Sequence, residues 1–173
     1  MRSVLLALAL LVGFAAPSRA AETQVTILTA GSSGAWYPLA TALSSIYGKA
    51  MKDVSFTAQA TQGSVENLRL LEAGDGELAF TLADALANAV SKDAGGERLR
   101  GVAALYPAYV QLVASKESGI KTLADLKGKR VSLGPEGSGI AVIAAVILKA
   151  AGLTLGDLAR GRSRGFRCRG ADG

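Results

Sequence analysis

Three short stretches combine glycine with hydroxyl, amide or aromatic groups at spacings suited to holding a ligand. The first is Gly31-Ser32-Ser33-Gly34-Ala35-Trp36-Tyr37-Pro38. The second is Gln62-Gly63-Ser64, with Asn67 three residues on, and the third is Gly134-Pro135-Glu136-Gly137-Ser138-Gly139. Each precedes a helical pattern, and the first and third follow directly on β-rich runs. A glycine turn from strand into helix leaves backbone N–H groups converging on one spot, under the positive end of the helix dipole. The chemistry this favours is binding of a small anion. Trp36 and Tyr37 add flat faces that would wall such a pocket. Asp84 could accept a hydrogen bond from a ligand amine.

Bland roles are open for each of these groups. The first turn could be an ordinary strand–helix connection with Trp36 in the core. Ser64, Ser138 and Asp84 could each simply cap a helix. The glycines do not form the GxGxxG dinucleotide pattern, and no Gly-Lys-Ser/Thr follows them as a P-loop requires. Nucleotide binding is therefore disfavoured.

Catalysis is disfavoured on residue grounds too. The chain has no histidine and one cysteine, Cys168, which removes Cys/His metal sites, an internal disulfide and the common histidine base. Glu66 and Glu72 are not placed as a carboxylate pair, and Lys127, Lys129 and Arg130 read as a solvated turn. No catalytic set, metal site or cofactor is expected; the chain reads as a binding protein rather than an enzyme.

The elements that must position these groups follow from periodicity. Residues 1–20 carry a positive Arg2, an uncharged apolar run from Val4 to Ala16, and small residues before Ala20. This is the pattern of a cleaved secretory signal, so a periplasmic location is expected. Of 19 Lys and Arg, Arg2 and Arg19 lie in that signal. Another five (Arg160, Arg162, Arg164, Arg167, Arg169) lie in the last fourteen residues, leaving twelve for 21–159. All of the 14 Asp and Glu except Asp172 fall in 21–159, so the body is near −1 and the basic character belongs to the ends. No basic stripe for nucleic acid runs through it.

Strands are expected at 25–28, 54–58, 78–81, 99–105, 109–114 and 130–133. Helices are expected from Pro38, from Ser64 (ended by Gly74-Asp75-Gly76), over 84–90, from a Thr122 cap, and over 140–151. Alanine-rich, aromatic-poor composition with this alternation implies an α/β fold. Strand, glycine turn and helix occur near the start and again near the end, one anion-friendly helix start for each of two lobes. Past Gly152-Leu153-Thr154 the periodicity fades. Residues 159–173 read as an irregular tail, with the sequence expected of translation in the wrong frame.

On these residues the chain resembles the TAXI family of substrate-binding proteins, the extracytoplasmic receptors of tripartite (TRAP) transporters. The similarity runs from about Val25 to Leu155 and is carried by I-L-T-A-G-S-S-G-A-W-Y-P, Q-A-T-Q-G-S-V-E-N-L-R-L-L and S-G-I-K-T-L-A-D-L-K-G-K-R-V-S-L-G-P-E-G-S-G. The resemblance implies a two-lobed, type 2-like periplasmic-binding-protein fold. Residues 21–107 would form part of the first lobe and 108–158 part of the second. It implies a small anionic solute such as glutamate or a related organic acid, and TRAP membrane subunits as partners. The implied contacts are Gly34, Ala35, Trp36 and Tyr37, then Gln62, Gly63, Ser64 and Asn67, then Thr81 and Asp84, and Ser138 with Gly139. Leu82 and Ala83 stand where the family carries polar side chains. Family members are longer, so a truncated form lacking the C-terminal return segments is expected. A receptor of an ABC importer, or a non-functional fragment, are the alternatives.

Overall fold

A computed structural model describes residues 22–91 and 98–159. The expected signal at 1–20, six residues of the polar loop after Ser91, and the arginine-rich tail beyond Ala159 lie outside the described residues.

The organising strand is β1 (Thr23–Leu28). It pairs in parallel with β2 (Val54–Gln59) on one side and with the two-residue β3 (Leu78–Ala79) on the other, giving the order β2-β1-β3. Thr23 stands opposite Val54 and Leu28 opposite Gln59; on the other edge Ile27 meets Leu78 and Leu28 meets Ala79. Successive side chains of a strand face opposite sides of the sheet. Ile27 accordingly enters a cluster with Ala40 and Phe80, flanked by Trp36, Leu39, Leu43, Phe56, Ala58 and Leu78. Leu28, fully buried, packs against Gly76 instead; a Cβ there would stand 2.9 Å from Leu28 Cγ.

The first helix, α1 (Trp36–Ala50), begins two residues before the expected Pro38. Trp36 and Tyr37 form its opening turn. Pro38 is tolerated there because the first N–H groups of a helix have no internal acceptor. Helix α2 (Ser64–Ala73) ends as expected at Gly74, and Asp75 N–H donates to Leu70 C=O at 2.9 Å. Helix α3 (Ala83–Ser91) follows β3 closely, and α4 (Gly139–Ala150) follows the third glycine turn. Single-turn 3-10 helices occupy Lys116–Ser118, Leu123–Leu126 and Leu155–Asp157.

The strands expected at 99–105, 109–114 and 130–133 do not form among the described residues. Strand periodicity sets which side chains share a face, but a strand exists only where a neighbour supplies ladder hydrogen bonds. No strand of the three-stranded sheet pairs with these segments, and no second sheet is present among the described residues. Residues 99–115 therefore carry exposed apolar groups, with Val102 83% and Val113 87% exposed. The 130–133 pattern still acts locally. Val131 and Leu133 pack on a second cluster of Leu126, Leu148 and Leu153, while Arg130 and Ser132 face out.

That second cluster continues to the end of the described chain. Leu158 packs against it, Gly128 N–H donates to Asp157 C=O at 2.7 Å, and Ala159 N–H donates to Lys129 C=O at 2.9 Å. The expected cap at Thr122 forms as part of a reciprocal box. The Asp125 carboxylate accepts from Lys121 N–H at 3.0 Å and from Thr122 N–H at 2.8 Å. Thr154 and Asp157 repeat the arrangement thirty-two residues later. These bonds hold both carboxyls below their ordinary value of 3.8. For Asp125 the Lys121 amide contributes most, followed by Thr122; for Asp157 the Thr154 amide comes first and the nearby Lys127 is minor.

Candidate functional site

In the order β2-β1-β3, the chain leaves β1 for one neighbour and later returns to the other. The connections therefore diverge between β1 and β3. In an open parallel sheet such a switch point leaves a crevice beyond the carboxyl ends of the strands, where ligands bind. Two loops flank this crevice: the turn from Thr29 to Ala35 after β1, and the segment from Phe80 to Leu82 after β3.

The first loop holds Gly34 and Ala35, both exposed, ahead of the half-buried Trp36 and Tyr37. Gly34 N–H closes a turn on Gly31 C=O at 2.8 Å, and a Cβ on Gly34 would stand 3.2 Å from that oxygen. Ala35 is the cap residue of α1 and offers no side-chain hydrogen bond, so this helix start lacks an internal anion substitute. Trp36 stacks on Phe80, with centroids 5.8 Å apart and planes 20° apart, and packs against the Ile27 cluster.

Behind these loops lies a polar network that holds the strand ends in place. Asn67 is fully buried. Its Nδ2 donates to Thr29 C=O at 2.5 Å and to Phe80 C=O at 2.8 Å, while Oδ1 accepts from Thr61 Oγ1 at 2.6 Å. Thr61 Oγ1 also reaches Thr29 C=O at 3.0 Å and accepts from Gly63 N–H at 3.0 Å. Thr29, buried too, donates its hydroxyl to Gln59 C=O at 2.7 Å. One amide thus ties together the ends of β1 and β3 and the loop after β2. Its two donor positions are used within the protein.

Ser64 does not cap α2. Gly63 takes that position with φ +116°, ψ −152°, a conformation open to glycine alone. Ser64 Oγ instead accepts from Leu82 N–H at 3.1 Å, fixing the β3–α3 corner. The N–H groups of Val65 and Glu66 both point to Gly137 C=O at 3.1 Å. A carbonyl of the third glycine turn therefore fills the position at the start of α2 that an anion would take.

The second and third glycine turns are consequently in direct contact. A Cβ on Gly139 would lie 2.6 Å from Leu82 Cδ1 and 2.7 Å from Ser64 Oγ. Ser138 caps α4 as one expectation had it, its Oγ accepting from Ala141 N–H at 3.1 Å. Gln62 is exposed, Thr81 and Asp84 are half-buried, and Asp84 lies in the first turn of α3 rather than capping it. A cleft of 230 Å³ opens beside this junction, lined by Gln62, Val65, Glu66, Arg69, Glu136 and Gly137. Two carboxylates against one guanidinium make it unsuited to an anion.

Of the twelve expected residues, Gly34 and Ala35 lie in the loop after β1, Trp36 and Tyr37 open α1, and Thr81 and Asp84 follow β3. Gln62, Gly63, Ser64, Asn67, Ser138 and Gly139 gather around the junction of the second and third turns. Sequence reasoning missed Thr29 and Thr61, whose role depends on strand ends brought together by the sheet. It also passed over Tyr106, whose hydroxyl accepts from Trp36 Nε1 at 3.0 Å.

Residues 27–167 match the NMT1-like family, a span that includes most of the sheet and all three glycine turns. The chain belongs to this family. It is a periplasmic-binding-protein-like family, of a binding rather than an enzymatic type. The membership accords with the small parallel sheet and points to an extracytoplasmic solute-binding role alongside a membrane transporter. Among the described residues no helix is long and apolar enough to cross a membrane.

Proposed function

We propose that this protein is the extracytoplasmic receptor of a TRAP-type transporter, and that its solute is a small carboxylate, glutamate or a related organic acid. The observation that carries the reading is the uncapped start of α1, placed beside the switch point of the sheet. Backbone N–H groups at a helix start favour negative charge by about 0.3–1 kcal/mol from the dipole alone, before any direct hydrogen bond. Trp36 and Tyr37 would cover the apolar part of the solute. Asp84, in the opening turn of α3 across the crevice, would take an ammonium group, which favours an amino acid over a simple acid. Ser138 and Gly139 serve this mouth indirectly by seating the second and third turns against each other.

Calorimetric titration with glutamate, 2-oxoglutarate and glutamine tests the reading. Binding of glutamate is expected, with weaker binding of 2-oxoglutarate, which lacks the ammonium group. Absence of heat with all three at millimolar concentration refutes a carboxylate receptor. Equal affinity for glutamate and 2-oxoglutarate removes the role of Asp84. A TRAP partner is tested by reconstituting uptake with the membrane subunits, which should depend on an ion gradient and not on ATP.

A further inference from the structure

We propose that Tyr106 belongs to the binding mouth: its hydroxyl accepts the Trp36 indole N–H and presents its own proton to the solute carboxylate. The inference rests on the solute-receptor reading above and adds a specific donor to it.

A phenol carries one donor and two acceptor positions. The 3.0 Å bond from Trp36 Nε1 uses an acceptor position, so the Tyr106 proton must point elsewhere. Among the described residues no acceptor takes it. Tyr106 is about half exposed, 53%, which leaves the hydroxyl free to turn that proton toward an arriving anion. The indole itself is held from its other side by the stack on Phe80, whose carbonyl is fixed by Asn67. A donor with an orienting bond behind it is already aimed, which lowers the ordering cost when an anion arrives. The same bond fastens the strandless stretch 99–115 to the first turn of α1. Tyr106 thereby reaches the crevice without any sheet to carry it there.

Trp36 is the only tryptophan, so its emission reads both halves of the idea. In the ligand-free protein, Tyr106→Phe should shift Trp36 emission to longer wavelength as water replaces the phenolic acceptor. Tyr109→Phe, at a hydroxyl that makes no hydrogen bond among the described residues, should leave emission unchanged. With glutamate as probe, Tyr106→Phe should weaken binding about ten- to hundred-fold, the range for a hydrogen bond to a charged group. Tyr109→Phe should bind as the parent does. Unchanged emission in ligand-free Tyr106→Phe overturns the latch, and parental glutamate affinity in that variant overturns the donor role. Should the parent bind none of glutamate, 2-oxoglutarate and glutamine while the emission shift appears, the receptor reading fails and the donor role with it.

Discussion

Replacing Asn67 by alanine separates a structural role from a ligand-binding one. The side chain is fully buried and spends both donors on carbonyls, those of Thr29 and Phe80. In Asn67→Ala the Thr61 hydroxyl, 3.0 Å from the Thr29 carbonyl, turns its one proton from the lost Oδ1 to that oxygen, so neither is left unpaired. The Phe80 carbonyl loses its side-chain partner. One stranded acceptor costs about 1–3 kcal/mol, and the space left by the amide adds roughly 1 kcal/mol. A loss of about 2–4 kcal/mol follows, which for a chain of this size lowers the melting temperature by about 4–16 °C.

Asn67→Asp should be worse at neutral pH, since a carboxylate oxygen would face two carbonyl oxygens in a dry site. Burial raises the folded pKa of the introduced carboxyl, so the charged form is penalised only in the folded state. The extra destabilisation is therefore absent well below the ordinary carboxylate value and grows as pH rises through it. Thermal unfolding followed by circular dichroism, at pH 2.5 and pH 7.5, is the assay. A melting temperature for Asn67→Ala within about 2 °C of the parent, accompanied by lost glutamate binding, would refute the argument and return Asn67 to the solute.

Three further outcomes follow from the geometry. Gly63→Ala should cost about 1–3 kcal/mol, because φ +116° with ψ −152° is closed to a residue with a Cβ although the space beside it is adequate; urea titration measures it. Gly139→Ala should lose about 1–3 kcal/mol by overpacking, since the new methyl meets buried Ser64 as well as Leu82, and Leu82→Ala in the same chain should recover part of the loss. Asp125→Ala should lower the urea midpoint at pH 7. Because the folded pKa of Asp125 is depressed, its contribution is full above 3.8 and disappears as pH falls through the folded value, so variant and parent should converge near pH 2.

Local patterns in the chain determined a good deal. Glycine punctuation and helical periodicity located the four α-helices of the described residues to within two residues or so, and Gly74 and Ser138 acted as the expected stop and start. Such signals are legible because their physics is local: a cap or a helical face needs only residues a turn apart. The three glycine turns and the binding character of the chain were likewise visible as residue types, as was the absence of histidine chemistry.

Only the tertiary structure decided which helix starts are closed by the protein's own groups. From sequence, the helix starts at Trp36, Ser64 and Gly139 are equivalent candidates. Folding places Gly137 C=O on the α2 amides, sends Ser64 Oγ to Leu82 and turns Ser138 Oγ inward as a cap, leaving α1 as the start without a side-chain cap at the switch point. Those choices depend on contacts between residues tens of positions apart, for which no local pattern exists. The strands expected at 99–105 and 109–114 show the same limit from the other side. Their alternation specifies faces, but a ladder needs a partner strand, and pairing is a property of the assembled sheet.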